Sequence, residues 1–454
     1  MKKPVHFVHV SFVFALLLLV GTLAAGQENV APQLKGPVAP RNGRGSVFSS
    51  FPQGSHAVAA FAPSRKQETP QTAGLSFASP VTYDTGGIET EAVAAEDLNG
   101  DGYPDLVIAN ACGSNSTCTA GSVTVLLNNG NGTFGKAVAY GSGGVQPLAV
   151  AVADVNGDGK PDIVVANSCV SVTGTAGCTT DGSVAVLLGN GDGTFQTAVS
   201  YDSGGFFARW VVIADINLDG KPDLIVVNRC GTSSVCSGDS TVAVLLGNGD
   251  GTFQTAVNYD TGGTGSEAVA VADVGGNDNP DLIVANQCLG ACNGFPGPQS
   301  TVGVLLGNGD GTFQSVVNYV TNAWAISNIA VADVNGDGKL DLAVSSPCEA
   351  EYAECDQGGG GVAVLLGNGD GTLQAPSQFS IGNYEGGLVA IQDVNGDGKP
   401  DLVVSAECGM GPPSCAPLLI VSVEVLLGNG DGTFQTARDF AHSATRSRLS
   451  PASR

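Results

Sequence analysis

The chain is poor in charge, in aromatic rings and above all in histidine. Charged residues make up 13% of its 454 positions, roughly half the ~25% usual in soluble domains. The deficit falls on the bases. Lys and Arg number 18 against 42 Asp and Glu, a formal net charge of −24, which argues against a partner bound through a phosphate backbone. The four histidines, His6, His9, His56 and His442, lie near the ends, so the regular part of the chain has no imidazole for acid–base work. Aromatics are 6%. After the first 26 residues no apolar run approaches the ~20 residues that span a bilayer.

What the chain has instead is 66 glycines and 43% hydrophobic residues. Small aliphatic side chains between frequent turn residues point to many short strands with a large shared core. At the N-terminus, Lys2 and Lys3 precede an apolar run from Phe12 to Val20 and the small residues Thr22 to Gly26. This pattern predicts a cleavable signal peptide over 1–26, with an uncleaved anchor as the alternative, and a secreted, extracellular or periplasmic protein without a transmembrane segment after cleavage. Residues 27–76, rich in Pro, Gly, Ser and Ala, read as a linker, and 441–454 as a disordered basic tail.

Residues 77–440 are one unit repeated six times. Asp-x-Asn-x-Asp-Gly-x-x-Asp begins at Asp97, Asp154, Asp215, Asp333 and Asp393, with a degraded copy at Asp273, at steps of 57 to 61 residues. A second motif, Val-x-Val-Leu-Leu-Gly-Asn-Gly-Asp-Gly-Thr-Phe, recurs with small variations at 123–134, 184–195, 242–253, 302–313, 362–373 and 423–434. Each unit reads as four strands, in the second unit Leu148–Ala153, 162–167, Val184–Leu188 and Ala198–Tyr201. Four-stranded units of this period fit the blades of an all-β propeller, with the alanine-rich first strand innermost. Six blades are expected. Pro80 to Asp84 resembles an extra fourth strand, while Ala437 to Phe440 already completes the last unit, so a seven-bladed or truncated ring is the alternative.

The acidic motif carries the chemistry. Side chains at positions 1, 3, 5 and 9, with the carbonyl of position 7, can wrap oxygen around a hard cation, and all-oxygen ligation in a crowded cage favours Ca2+. The expected ligands are Asp97, Asn99, Asp101, Tyr103 and Asp105 in the first unit, and Asp154, Asn156, Asp158, Lys160 and Asp162 in the second. Asp215, Asn217, Asp219, Lys221 and Asp223 follow in the third. The fifth and sixth use Asp333, Asn335, Asp337, Lys339 and Asp341, then Asp393, Asn395, Asp397, Lys399 and Asp401. The fourth keeps Asp273, Asn277, Asn279 and Asp281 but has Gly275 at position 3, which points to a weak or empty site. Five or six structural ions follow. Solvated turns without metal are the competing reading. Position 12 is Val165, within a strand, which separates this motif from an EF-hand. Residues 77–440 keep 40 of the 42 acids but eight of the 18 bases, and such packing of carboxylates calls for a counter-ion. The Gly-Asn-Gly-Asp-Gly segments read as tight hairpins.

Twelve cysteines fall one close pair to a unit: Cys112 and Cys118, Cys169 and Cys178, Cys230 and Cys236, Cys288 and Cys292, Cys348 and Cys355, Cys408 and Cys415. In an exported chain this implies six local disulfides between second and third strands, zinc being disfavoured for want of a nearby histidine or Cys-x-x-Cys. In an up-and-down blade the acidic loops and hairpins share one face. The cysteine loops and inter-blade connections share the other, where Phe206, Phe207, Arg209, Trp210, Trp324 and Tyr384 are candidates for ligand contact, or else pack between blades.

The two coupled motifs resemble the FG-GAP and VCBS repeats of integrin α-subunit propellers and of many bacterial secreted proteins. The resemblance implies calcium on the lower face and ligands on the upper one; integrin propellers usually have seven blades, and related propellers include fungal lectins that bind sugars between blades. The function expected is therefore a secreted or surface-displayed, calcium-stabilised propeller that binds a glycan or protein ligand in adhesion or recognition. A carbohydrate-active lyase or hydrolase, which needs a carboxylate pair or Tyr with Lys or Arg, is the enzymatic alternative. Glu89, Glu91, Glu349, Glu351, Glu354 and Glu385 on the variable face come from different units with no spacing that marks such a pair, and a structural spacer is the third reading.

Overall fold

The structure, a computed structural model, describes residues 83–113, 119–171, 181–231, 240–289, 299–347, 360–382, 385–407 and 421–439. The expected signal peptide, linker and basic tail lie outside these residues, as do Cys118, Cys178, Cys236, Cys292, Cys348, Cys355, Cys408, Cys415 and Tyr384, and Glu349, Glu351 and Glu354. Among the described residues no helix is long and apolar enough to cross a membrane.

The chain forms six four-stranded antiparallel sheets, each from consecutive strands. In the second sheet these are β5 (Val145–Ala153), β6 (Asp162–Cys169), β7 (Ser183–Leu187) and β8 (Val199–Asp202), close to the four segments expected. The first strand is three residues longer than its apolar run because pairing shifts between Pro147 and Ala149. Leu148 bulges out there, and pairing resumes as far as Val145 opposite Cys169. All eight residues of β6 are buried. That follows from its place between neighbouring sheets, which cover both faces and so demand apolar residues without alternation. In β8 the pattern turns to exposed, with Val199 56% accessible, as suits an outer edge.

The innermost strands pack in succession: β1 (Ile88–Glu96) on β5, β5 on β9 (Phe206–Ala214), β9 on β13 (Thr264–Ala272), β13 on β17 (Asn328–Ala332) and β17 on β21 (Glu385–Gln392). This is the arrangement of a β-propeller with six blades. No comparable packing joins β21 to β1 among the described residues. Blade interfaces are aliphatic: Ala149, Ala151, Val164 and Val186 of the second blade meet Val211, Ile213, Leu224 and Leu245 of the third in one buried cluster. Each fully buried Val, Ile or Leu contributes about 1.5–3 kcal/mol.

Aromatic pairs join the outer strands of the first, second, third and fifth units to the next unit's hairpin, Leu373 standing in place of the ring opposite Tyr319. Tyr140 meets Phe195, Tyr201 meets Phe253 and Tyr259 meets Phe313 edge to face, at 5.7, 5.6 and 5.2 Å between ring centroids. The hydroxyls of Tyr201, Tyr259 and Tyr319 donate to the carbonyls of Gly251, Gly311 and Gly371, at 3.4, 3.3 and 3.4 Å. Tyr83, ahead of the first blade, takes the same place against Phe134 at 5.3 Å, although residues 83 and 84 lie outside any strand. The last blade has its own outer strand, β24 (Arg438–Asp439). The chain therefore holds six complete sheets and one additional copy of the outer-strand tyrosine.

Candidate functional site

The acidic loops repeat one hydrogen-bonded design. In the second blade Asp154 Oδ1 accepts the backbone N–H groups of Gly157 and Asp158 at 2.7 and 3.1 Å, and Oδ2 accepts that of Gly159 at 2.7 Å. Asn156 Oδ1 accepts from Asp158 and Asp158 Oδ1 from Lys160, at 2.9 and 3.0 Å. Asp97, Asp333 and Asp393 repeat the first set. The turn needs left-handed backbone at positions 4 and 6, as at Gly157 and Gly159 with φ of 74° and 81°. Leu218 in the third loop and Asp278 in the fourth adopt it without being glycine, at 60° and 64°. The degraded fourth loop thus keeps its shape: Asp273 still accepts from Asn277 and Asp278 at 3.1 and 2.8 Å.

The position-9 carboxylates have a duty that the spacing did not reveal. Asp162 is fully buried, its Oδ2 accepting Val155 N–H at 2.9 Å and its Oδ1 accepting Gly189 N–H at 2.7 Å. It ties its own loop to the hairpin that follows β7. Asp105, Asp223, Asp281, Asp341 and Asp401 do the same. The next unit's hairpin closes the other side, with Gly193 N–H donating to Leu98 O at 3.2 Å and Gly371 N–H to Val274 O at 2.8 Å. At position 7 only the carbonyl is needed for a cation, and three of the four lysine side chains there do not reach out into water. They are half-exposed but turn back, Lys160 Nζ to Asp158 Oδ2 and Lys221 Nζ to Asp219 Oδ2 at 3.4 Å, Lys339 Nζ to Asp337 Oδ2 at 3.9 Å.

These loops offer oxygen donors only, which suits a hard cation. Burial, with Asp154 and Asp158 adding to it, pushes the Asp162 carboxyl up to about 6; a cation among the three carboxylates would relieve that repulsion. Among the described residues, no group of three carboxylates, imidazoles or thiols already stands close enough together to grip an ion. Asp154, Asn156 and Asp158, with the Lys160 carbonyl, are the groups with spare lone pairs at the loop's open side.

The opposite face is built from the starts of the inner strands. Cys112, Cys169, Cys230 and Cys288 end the second strands there, and none is a free thiol; their partners lie outside the described residues. Buried asparagines hold the connections: Asn228 Nδ2 donates to Ser203 O and Asn286 Nδ2 to Thr261 O, at 2.7 and 2.8 Å. Bulges recur here at Glu91, Leu148, Arg209 and Glu267. Two residues ahead of them Glu89, Gln146, Phe207 and Gly265 have φ between 51° and 65°, a strained geometry for all but the glycine.

Of the aromatic candidates, Phe206 and Phe207 are half-buried and Trp324 likewise. Trp210 follows the second of the two readings: it is 9% exposed and sits in the aliphatic core between blades, on the regularly paired side of the bulge. Arg209 instead reaches the fourth blade, where Nε donates to Glu267 Oε2. Arg229 Nε lies 3.9 Å from Glu267 Oε1 and its Nη2 donates to Gln287 at 3.3 Å. Burial pushes Glu91 up to about 7, with Arg209 pulling it down and Glu89 pushing it up. Glu91 and Arg209 belong to the first and third blades, yet each feels the other's charge. Sequence reasoning named Glu91 and Arg209 separately but missed Glu267 and their meeting. The signal was there: all three stand six residues before the first aspartate of a loop.

A family model for FG-GAP-like repeats matches residues 97–165, 173–226, 291–344 and 352–404, and one for the FG-GAP repeat matches 147–187 and 325–365. No curated protein gives a significant match. Among solved structures, the crystal structure of exotype rhamnogalacturonan lyase YesX is similar at a TM-score of 0.37 and 17% identity, over 71% of this chain and 57% of that one. The chain thus spans little more than half the length of that enzyme, and at this similarity the lyase's activity does not transfer.

Proposed function

Because the chain belongs to the FG-GAP repeat family, we propose that it is a secreted or surface-displayed, calcium-stabilised β-propeller that binds an extracellular glycan or protein with the face opposite its acidic loops. The observation that carries this reading is the contrast between its two ends. One end repeats a single hydrogen-bond pattern in blade after blade, the mark of a structural element. At the other, register-matched positions hold Glu91, Leu148, Arg209, Glu267 and Ser327, each two residues after a backbone position of positive φ. Side chains that differ at a fixed place on a rigid scaffold are what selective binding uses.

Calcium would be held by positions 1, 3 and 5 and the position-7 carbonyl of each loop, supplying the positive charge that the carboxylates lack; its role is structural. The cysteines, paired within units, would pin the loops of the binding face. Screening the calcium-loaded protein against immobilised glycans and extracellular proteins tests the reading. Binding that is lost on substituting residues of the variable face, with the fold intact, is expected. Binding that survives there and is lost through the acidic face would overturn it.

A further inference from the structure

Two of the few bases outside the acidic loops converge on one carboxylate. Of the eight bases in 77–440, four are loop lysines, and the others are Lys136, Arg209, Arg229 and Arg438. Arg209 and Arg229, both on the third blade, flank Glu267 of the fourth. Glu267 is 5% exposed, whereas the Arg209 and Arg229 side chains are 33% and 40% exposed. One buried negative charge thus faces two partly exposed positive ones, with Glu91 offsetting part of the Arg209 charge, in a chain of net −24.

The guanidinium edges are only partly used. Arg209 gives Nε to Glu267, and neither of its Nη groups donates to a described residue. Glu267 Oε1 accepts no hydrogen bond; Arg229 Nε stands 3.9 Å away. A guanidinium already fixed by an ion pair, with its Nη groups donating to none of the described residues, is ordered in advance for a planar acceptor. Phe207 adds a second observation. It is half-buried and held at a φ of 57°, where a bulky residue is strained, two residues before Arg209.

We propose that Arg209 and Arg229 form a subsite where the third and fourth blades meet for the carboxylate of an acidic sugar, a uronate, with Glu267 holding both guanidiniums in place. The inference rests on the ligand-binding reading above and names the ligand's chemistry. A pyranose uronate offers a planar carboxylate, which suits the two guanidiniums, beside an apolar C–H face, which suits an aromatic residue such as Phe207. The strong negative charge of the chain opposes a long polyanion, so a single terminal uronate suits the site better than an extended polyuronate or an acidic peptide. Glu91 is the nearest competitor for Arg209, and burial holds it up at about 7, which weakens that competition near neutral pH.

The test uses the oxidised, calcium-loaded full chain and isothermal titration with galacturonic and glucuronic acids. Galactose, glucose and the methyl ester of galacturonic acid serve as uncharged controls. Uronates should bind and the controls should not. Arg209→Lys, which keeps the charge but loses the fork, should weaken binding about tenfold or more, and Arg229→Lys likewise, with unchanged thermal unfolding. Lys136→Ala, which removes a distant exposed charge, should leave binding as it was. Uronates that bind no better than the uncharged sugars, or as well to both arginine variants, would overturn the subsite. Neutral glycans or proteins that bind the variable face in the same preparations would then leave the wider reading standing.

Discussion

Asp162 reaches 27 residues along the chain to accept the backbone N–H of Gly189, at 2.7 Å. Through this contact an acidic loop and a hairpin that are distant in sequence become one rigid end of the blade. The carboxylate is fully buried and uses one oxygen for each element, so an amide cannot replace it: one N–H would face another donor. Asp162→Asn should lower stability by about 1–3 kcal/mol, read from urea unfolding in excess chelator so that any metal contribution is absent. An unchanged midpoint there would show that the clamp contributes nothing.

Removing calcium should lower the melting temperature of the oxidised, signal-free protein. At millimolar calcium, with dissociation constants of ~0.1 mM, each site stabilises the fold by about 1.4 kcal/mol, and five or six sites act together. Native mass spectrometry should count those ions before chelation. No bound calcium and an identical melting curve with EGTA would remove the metal from this account and leave the loops as hydrogen-bonded turns.

Leu218 stands where other loops place glycine, at a φ of 60° and 47% exposed. Its side chain buries little, so the left-handed backbone costs roughly 1 kcal/mol without return. Leu218→Gly should raise stability by a similar amount in thermal unfolding. A decrease would mean that unfolded-state entropy outweighs the strain.

Glu424, on β23 (Val421–Leu426), is 2% exposed where the other units have Thr124, Ala185, Ala243, Gly303 and Ala363. Burial first, then Asp439, pushes its carboxyl up to about 7, while Ser422 pulls it down. Between the ordinary carboxylate value and 7 the folded state holds a proton that the unfolded state has released. Stability therefore falls as pH rises through that window, and the full penalty persists above it. Glu424→Gln should raise the melting temperature at pH 8 and change it little at pH 5. The same gain at both pH values would contradict the titration.

Much of the fold was legible because the repeat prints each constraint six times. The Asp-x-Asn-x-Asp-Gly spacing, the alternating Val and Ala of the inner strands and the glycines at left-handed positions are local features, set within a few residues. What escaped was non-local. Nothing near Tyr140 announces that Phe195 will meet it edge-on, and nothing near Asp162 points to Gly189. The two readings of Trp210, ligand contact or packing between blades, were separated only by the neighbouring blade that covers it, and the bulge at Arg209 reverses the inward and outward assignment of the residues before it. The meeting of Arg209 with Glu267 required that bulge in two adjacent blades, and the charge of Glu91 reaches Arg209 from a blade that is not its neighbour, which no linear pattern encodes.

Tyr83 has a consequence for the order of assembly. Every blade interface described here links a unit to the one immediately before it, so partners are always close in sequence, a topology that folds quickly for its size. Tyr83 already occupies Phe134, the seat that a final outer strand would otherwise fill. A chain emerging N-terminus first, from a ribosome or through a membrane pore, can therefore complete its first blade at once and add each later one to a finished neighbour. The first blade does not wait for the last.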